Sequence, residues 1–194
     1  MLSRSARMHL AAMRLIEMQC AALHTVSYIW GGYTLDIYQG RLLREHHDLD
    51  YLTMNLDGVK PHLARLFGQR GWLTKELSNG DLAIRSHEVK IQLGNIVEVG
   101  HHIRWTHAGP RGYFAFPRHW LQPEPVRFYG ADVHVVEPEL EYVIKEFRKL
   151  LNPDWEAREP DIIEQEQLRA MLQARGIDPE SLCAQVVAWT LTPA

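Results

Sequence analysis

The segment from Trp30 to Leu52, WGGYTLDIYQGRLLREHHDLDYL, brings together residue types that bind phosphate and metal ions. Gly31 and Gly32 have no Cβ, so their backbone amides can approach an anion closely, and a helix that begins there directs its positive end toward the same anion. Arg41 and Arg44 add guanidinium donors for phosphate oxygens. The segment therefore predicts a local anion site.

Two aspartates follow in the same segment. Side chains at positions i and i+2 of a β-strand project from one face, so Asp48 and Asp50 are expected to lie close enough to hold one divalent cation or to bridge two. Oxygen ligands suit Mg²⁺. On their own, two such aspartates are more typical of a solvated strand edge. Beside a glycine-rich anion cradle they indicate a site for a nucleoside triphosphate and Mg²⁺.

The segment resembles the nucleotide-binding motif of the polymerase-β superfamily of nucleotidyltransferases, above all the aminoglycoside 2''-nucleotidyltransferases and the small lincosamide nucleotidyltransferases. A weaker resemblance continues through FAFPRHWL, VRFYGADVHVVEPELEYVIKE and REPDIIEQEQL, which takes it over roughly residues 26 to 172. The residues that match the motif in type and spacing are Gly31, Gly32, Tyr33, Asp36, Gly40, Arg41, Arg44, His46, Asp48 and Asp50.

The resemblance implies roles for individual residues. Asp48 and Asp50 are expected to hold Mg²⁺, and ATP is the triphosphate that we expect. Gly31 and Gly32 would contact the triphosphate, and Lys145 and Arg158 would reach toward the nucleotide from the helical part of the chain. The expected nucleotide-binding set is Gly31, Gly32, Arg41, Arg44, His46 and Lys145.

One position departs from the motif. These enzymes carry a third carboxylate on a later strand, and the matching run here, VKIQLG, has Gln92 in that place. A glutamine amide ligates a cation weakly through its oxygen and cannot accept a proton at neutral pH. Glu88 lies about 13 Å away along a regular strand, and Glu98 can enter the site only from a loop. The sequence leaves open whether Gln92 abolishes catalysis or one of these glutamates compensates.

The hydrophobic pattern predicts an α/β (α+β) fold with an N-terminal amphipathic helix, and a strand, glycine turn and short helix across VSYIWGGYTLDIYQG. A strand in HDLDYLTM, a helix in GVKPHLARLFGQRG and a strand in EVKIQLG follow, with hairpins at Asn79-Gly80 and at Gly130. Residues from Gly94 to Pro125 show no clear period and are predicted to be irregular with one or two short strands. Three helices are predicted in PELEYVIKEFRKLL, DIIEQEQLRAMLQARG and DPESLCAQVVAWTL, with solvated acidic faces around Glu139, Glu141 and Glu164 to Glu166.

We therefore expect a nucleotidyltransferase core, with a mixed sheet flanked by helices, over residues 1–136 and a helical part over 137–194. The nucleotide would lie between them. A net charge of -3 argues against a protein that coats nucleic acid or an anionic membrane. Cys20 and Cys183 fit no ligand spacing, and no run is long enough for a signal peptide or a membrane span. We expect a cytoplasmic protein, whose oligomeric state, a homodimer included, stays open.

The function predicted first is Mg²⁺-dependent transfer of a nucleoside monophosphate from a triphosphate to a hydroxyl of a small molecule resembling an aminoglycoside or a lincosamide, with release of pyrophosphate. The alternative is a catalytically weakened or inactive nucleotide-binding relative that serves as a regulatory or interaction module. A nucleotidyltransferase acting on RNA or protein fits less well, because no basic surface is evident in the sequence.

Overall fold

In the computed structural model, which describes residues 2–109, 112–151 and 156–190, one mixed sheet is covered by helices. The helices are α1 (Arg4–Ala22), α2 (Tyr33–Tyr38), α3 (Leu56–Gly68), α4 (Pro138–Leu151), α5 (Glu159–Ala174) and α6 (Pro179–Leu182). The strands are β1 (Ser27–Trp30), β2 (Asp48–Met54), β3 (Leu73–Glu76), β4 (Leu82–Arg85), β5 (Lys90–Val99), β6 (His102–Gly109), β7 (Gly112–Pro117), β8 (Val126–Phe128), β9 (Ala131–Val135) and β10 (Val187–Thr190).

The strand order is β10-β7-β6-β5-β2-β1-β9-β8, and β4 pairs with both β3 and β5. The pairs β2–β5 and β1–β9 are parallel, whereas the other pairs are antiparallel. One edge of β5 is shared: its first half pairs with β4 and its second half pairs with β6. The other edge lies along the whole of β2. β5 therefore pairs with three strands, β2, β4 and β6.

The two faces of the sheet bury different cores, as the period of two in β2 requires. Leu49 and Tyr51 pack with α1 and α3 in one core, whereas Leu52 packs with residues of α4 and α5 in the other. Asp48 and Asp50 lie on the same face of β2 as Leu52. They are at the N-terminal end of the strand, where Asp48 is exposed and Asp50 is half-buried. Fully burying a leucine stabilises a fold by about 1.5–3 kcal/mol, so these alternating leucines fix which face the aspartates occupy.

Most predicted elements are confirmed. The amphipathic helix is α1, the glycine turn joins β1 to α2, and β3–β4 and β8–β9 are the two hairpins. Tyr129 and Gly130 both have positive φ, 44° and 79°, as a tight turn of this hand requires. Cys20 and Cys183 are free thiols. No helix within the described ranges is both long and apolar enough to cross a lipid bilayer.

Two predictions are wrong. The stretch from Gly94 to Pro125 is largely ordered, because β5 continues to Val99 and is followed by β6 and β7. Its aromatic and apolar residues, among them Ile103, Trp105 and Phe116, are buried on the sheet, so tertiary packing specifies strands that the local pattern did not. The last predicted helix is also short: α6 ends at Leu182, and β10 then pairs with β7.

His9 is a buried polar residue of α1 that lies behind the glycine turn. Its Nδ1 is 2.9 Å from the hydroxyl oxygen of Tyr33, and its Nε2 has no hydrogen-bond partner among the described residues. Burial, and after it the nearby His46, lowers the pKa of His9 to about 4. The folded protein therefore holds this imidazole neutral at pH values at which the unfolded chain protonates it.

We predict an acid-sensitive contribution to stability from His9. Neutral His9 contributes fully above the unfolded pKa of about 6.5, and the contribution is lost as the pH falls toward about 4, with a change of about 3 kcal/mol. Chemical denaturation of the native protein and of His9→Gln across this pH range measures it. The unfolding free energy of the native protein should fall more steeply, and parallel curves would show that His9 does not titrate in this way.

Candidate functional site

The turn between β1 and α2 brings backbone against side chains from distant segments. Gly31 has φ of +79°, and a Cβ on it would lie 3.3 Å from Oδ2 of Asp50. A Cβ on Gly32 would lie 2.6 Å from Nη2 of Arg44 and 2.8 Å from Nδ1 of His46. Glycine is thus required at both positions, by backbone conformation at the first and by space at the second.

His46 lies beneath this turn. Its Nε2 is 2.8 Å from Oδ2 of Asp36, and both side chains are only 1% exposed. Its ring packs on Tyr33, with 4.0 Å between the ring centroids. Through Tyr33 the same group of residues reaches His9. The structure therefore places His46 in a buried layer that supports the turn, rather than on the surface of the protein.

The two aspartates of β2 lie next to the turn. Asp50 is opposite Trp30 of β1 and beside Gln92 of β5. Burial, and then the neighbouring Asp48 carboxylate, raises the pKa of Asp50 to about 7. A carboxylate that ionises reluctantly gains from a cation that neutralises the pair. Asp48 and Asp50 are thus brought together as predicted from their spacing.

Gln92 occupies the neighbouring position on β5. Its backbone is in register with Asp50 on one side and with Ala83 of β4 on the other. Its Nε2 donates to Oδ2 of Asp81 at 3.0 Å. The two glutamates considered as substitutes bind arginines elsewhere: Glu88 lies 3.2 Å from Arg4, and Glu98 lies 3.1 Å from Arg118.

A carboxylate from α4 already accepts the amide of the turn. Gly31 N donates to Oε2 of Glu141 at 2.7 Å, and the hydroxyl of Thr34 donates to the same oxygen at 3.4 Å. Glu141 is 1% exposed, so the prediction of a solvated acidic face is wrong at this residue. Burial of this carboxylate is tolerated because backbone and side-chain donors surround it.

A second carboxylate, Glu164 of α5, holds the predicted phosphate-binding cations. Arg44 donates to Glu164 Oε1 through Nε and Nη2, and Lys145 Nζ donates to Oε2 at 2.8 Å. Burial alone would raise the pKa of Glu164, but Lys145 and Arg44 outweigh it and hold the pKa below its ordinary value. Glu164 is buried, so the solvated face is wrong here as well, whereas Glu166 is exposed as predicted.

Asp161 repeats this arrangement one turn earlier on α5. Its carboxylate accepts from Arg158 Nε at 2.9 Å, and Arg148 of α4 lies at 3.5 Å. Burial raises the pKa of Asp161, but the hydrogen bonds from Arg158 outweigh it and the pKa is lowered. Arg158 was expected to reach toward the nucleotide, and in the structure its guanidinium is bound to Asp161 of α5.

Two cavities flank α5. One, of about 360 Å³, lies beside the pair formed by Arg44 and Glu164, and it is largely apolar, with Leu35, Leu43 and Ile163 in its wall. The other, of about 330 Å³, lies between α4 and α5 beside Lys145 and Asp161. Arg41, which was also predicted to bind nucleotide, is exposed in the segment that follows α2.

The structure thus collects most of the predicted residues around one turn: Gly31, Gly32, Arg44, His46, Asp48, Asp50, Gln92 and Lys145. Sequence reasoning missed that Glu141, Glu164 and Asp81 bind residues of this group, and that Asp161 binds Arg158 beside it. The sequence did contain a signal for Glu141, Asp161 and Glu164. These acids are spaced along α4 and α5 so that they lie on the same helix face as the buried apolar residues.

The architecture is that of the nucleotidyltransferase fold, which confirms the predicted fold class. The antibiotic-resistance factor ANT(2'')-Ia in solution is similar, with a TM-score of 0.70 and 15% identity over 94% of this chain and 91% of that chain. The crystal structure of ANT(2'')-Ia with adenylyl-2''-tobramycin gives 0.67 and 16% identity over 92% of this chain and 95% of that chain.

The lincosamide antibiotic adenylyltransferase LnuA, with lincomycin bound, is similar with a TM-score of 0.58 and 13% identity, over 81% of this chain and 94% of that chain. Both groups of enzymes that the sequence resembles are therefore represented among the similar structures. Comparison of the sequence with protein-family models and with curated proteins gave no match.

We predict that Gly32→Ala destabilises the protein by about 1–3 kcal/mol, because its Cβ would overlap Arg44 and His46 and the turn must shift. Gly58→Ala is the matched control: Gly58 lies in α3, and no atom lies within 4 Å of its added Cβ. That change should raise the unfolding free energy by up to about 1 kcal/mol. Equal effects of the two substitutions, measured by chemical denaturation, would contradict close packing at the turn.

We also predict that Glu164→Gln tightens triphosphate binding about tenfold. The variant removes the carboxylate that would compete with phosphate for Arg44 and Lys145, and a charge-assisted hydrogen bond contributes about 1.5–3 kcal/mol. Adenosine should bind the variant and the native protein equally. Calorimetry with ATP and adenosine tests this, with Glu166→Gln as the control on an exposed position of the same helix. Weaker ATP binding by Glu164→Gln would show that Glu164 supports the phosphate site instead.

Proposed function

We propose that this protein is a Mg²⁺-dependent nucleotidyltransferase that transfers a nucleoside monophosphate from ATP to a hydroxyl of a small molecule. The observation that carries this proposal is the convergence of Arg44 and Lys145 on a single carboxylate beside a glycine turn that lies against Asp50. Carboxylate and phosphate oxygens are recognised by the same donors. The donors that bind the Glu141 and Glu164 carboxylates therefore form a place in which a bound phosphate would also be stable.

Asp48 and Asp50 fit Mg²⁺ as an oxygen-ligand pair, and the raised pKa of Asp50 indicates that the two charges oppose each other without a cation. Among the described residues, no group of three acidic, imidazole or thiol side chains is arranged as a complete metal site. Phosphate oxygens would complete the ligand set. Bound there, Mg²⁺ would neutralise phosphate charge and polarise the phosphorus–oxygen bond that breaks.

Other side chains would bind the triphosphate and the nucleoside. Arg44 and Lys145 would exchange Glu164 for phosphate oxygens and hold the triphosphate in place. The largely apolar cavity beside Arg44 has the size and lining of a site for part of a small ligand, and we assign the nucleoside to it. In the reaction, the acceptor oxygen bonds to the α-phosphorus, pyrophosphate leaves with the electron pair of the broken bond, and the hydroxyl proton passes to solvent.

The acceptor that we propose is a polyhydroxylated antibiotic of the aminoglycoside or lincosamide kind. Support comes from the similar structures, one of which contains adenylyl-2''-tobramycin and another lincomycin. Trp30, in register with Asp50, packs edge-on against Trp105 at 5.0 Å between ring centroids. An aromatic surface next to the reacting carboxylates suits the apolar face of a sugar ring. We also propose a cytoplasmic location and a homodimer.

A specific observation favours the second function, a weakened nucleotide-binding relative. Gln92, in register with Asp50, is where a third carboxylate is expected, and neither Glu88 nor Glu98 lies beside it. Losing a positioned base commonly costs about 10² to 10⁴ in rate. Such a protein would bind Mg²⁺ and nucleotide as described and release little or no pyrophosphate.

The test is binding and turnover measured on the same samples. We expect calorimetry to show ATP binding that depends on Mg²⁺ and is weakened at least tenfold by Asp48→Asn and by Asp50→Asn, since each removes a metal ligand. Asp57→Asn, an exposed acid at the start of α3, is the control. Pyrophosphate release with aminoglycosides and lincosamides then separates transfer from binding alone. ATP binding that is tight without Mg²⁺ and survives Asp48→Asn would overturn the metal site.

A further inference from the structure

Asp81 is a buried carboxylate next to the proposed active site. It precedes β4, directly after the Asn79-Gly80 turn, and is only 1% exposed. Its Oδ2 accepts from Asn79 Nδ2 at 2.9 Å and from Gln92 Nε2 at 3.0 Å. The backbone amide of Asp81 donates to Asn79 Oδ1 at 3.2 Å, so the turn itself fixes this residue. A buried carboxylate costs free energy unless it is hydrogen-bonded, and this one is bonded to Gln92.

The sheet places Gln92 between Asp81 and Asp50. β4 and β2 lie on opposite edges of β5, with Ala83 and Asp50 in register with Gln92 on either side. Side chains in register on adjacent strands share a face, at a strand spacing of about 4.8 Å. The Gln92 side chain therefore lies on the face of Asp50, with Asp81 on the side away from it.

The hydrogen bond orients the amide of Gln92. A carboxylate only accepts, so the end of the amide that meets Asp81 must be the Nε2 donor. Oε1, on the other branch of the same planar group, is then turned away from Asp81, and the side of β5 away from β4 is the side on which β2 and Asp50 lie. A donor in contact with a buried carboxylate is also polarised, which makes the amide oxygen a better acceptor.

Charge explains why position 92 is neutral. A glutamate there would bring a second carboxylate to about 3 Å from Asp81, and two such groups cannot both ionise easily. The negative charge of Asp81 therefore lies one strand further from Asp50, and the side chain next to Asp50 on β5 is a neutral amide. Asp81 is too deeply buried to touch an acceptor itself.

We propose, resting on the function proposed above, that Asp81 is a positioning residue that acts through Gln92: it holds Oε1 of Gln92 toward Asp50, where that oxygen accepts a hydrogen bond from the acceptor hydroxyl. Groups that orient a ligand-binding side chain in this way commonly affect activity by about 10-fold to 100-fold. The pair of residues thus replaces the single acid that the sequence lacks.

The kinetic test compares Asp81→Ala, Gln92→Glu and the exchanged double variant that combines Asp81→Asn with Gln92→Glu. We expect Asp81→Ala to lower kcat at least tenfold while the KM for ATP changes less than twofold, because the hydrogen bond does not touch the nucleotide. Gln92→Glu alone should also lose activity through repulsion from Asp81. The double variant should regain activity, since the amide introduced at position 81 would donate to the carboxylate introduced at position 92. Asp132→Asn, an exposed acid of the β8–β9 hairpin, is the control.

A second readout tests the orientation without turnover. In the nuclear magnetic resonance spectrum, the Nε2 proton of Gln92 that is donated to Asp81 should be shifted away from the amide protons of exposed glutamines in the native protein, and this shift should be lost in Asp81→Ala. Thermal unfolding of each variant shows whether the fold persists. Identical Gln92 signals in both folded proteins would overturn the proposal, as would native kcat in Asp81→Ala.

The two proposals fail in different ways. If the native protein neither binds ATP nor releases pyrophosphate, the proposed function fails, and the Gln92 signals alone decide whether Asp81 orients the amide. If the native protein is active and the double variant stays as slow as Gln92→Glu, the proposed function stands and the role of Asp81 is wrong. If the exchange restores activity, both stand.

Discussion

The close approach of the backbone at Gly31 and Gly32 to side chains from the rest of the chain is the constraint on which the site depends. Asp50, Arg44 and His46 occupy the volume that ordinary side chains would take, and Glu141 accepts the amide of the turn. The groups involved come from β2, the segment after α2, and α4. These segments can meet at the turn because Gly31 and Gly32 have no Cβ. Their atoms are packed so closely that a larger side chain at either position would displace its neighbours.

Around this turn, the charges are balanced within the protein. Glu141, Asp161 and Glu164 are acids of α4 and α5, and each lies against donors that suit a phosphate. Replacing a buried carboxylate by a phosphate oxygen keeps those donors satisfied, so the exchange costs less than desolvating bare cations would. Under the proposed function, nucleotide binding would be a competition between Glu164 and phosphate oxygens for Arg44 and Lys145.

Local signals predicted the parts of the structure that local physics determines. The glycine turn, the Asp48–Asp50 alternation and both hairpins depend on the conformational freedom of glycine and on a period of two, and each is present as expected. The burial of Glu141 and Glu164 depends on partners more than a hundred residues away, which no local pattern contains. One or two short strands were predicted between Gly94 and Pro125 without positions, and the segment of β10 was predicted as a helix; strand pairing specifies β6, β7 and β10 instead.

The sequence separation of these contacts has a consequence for synthesis of the chain. Gly31 and Glu141 are 110 residues apart, and Arg44 and Glu164 are 120 apart. A nascent chain on the ribosome has therefore made the turn, the aspartates and most of the sheet long before α5 exists to pair with Arg44. Until that helix emerges, Arg44 lacks the carboxylate that it binds in the folded protein. Under the proposed function, ATP would be able to bind Arg44 before Glu164 does and so stabilise the growing fold.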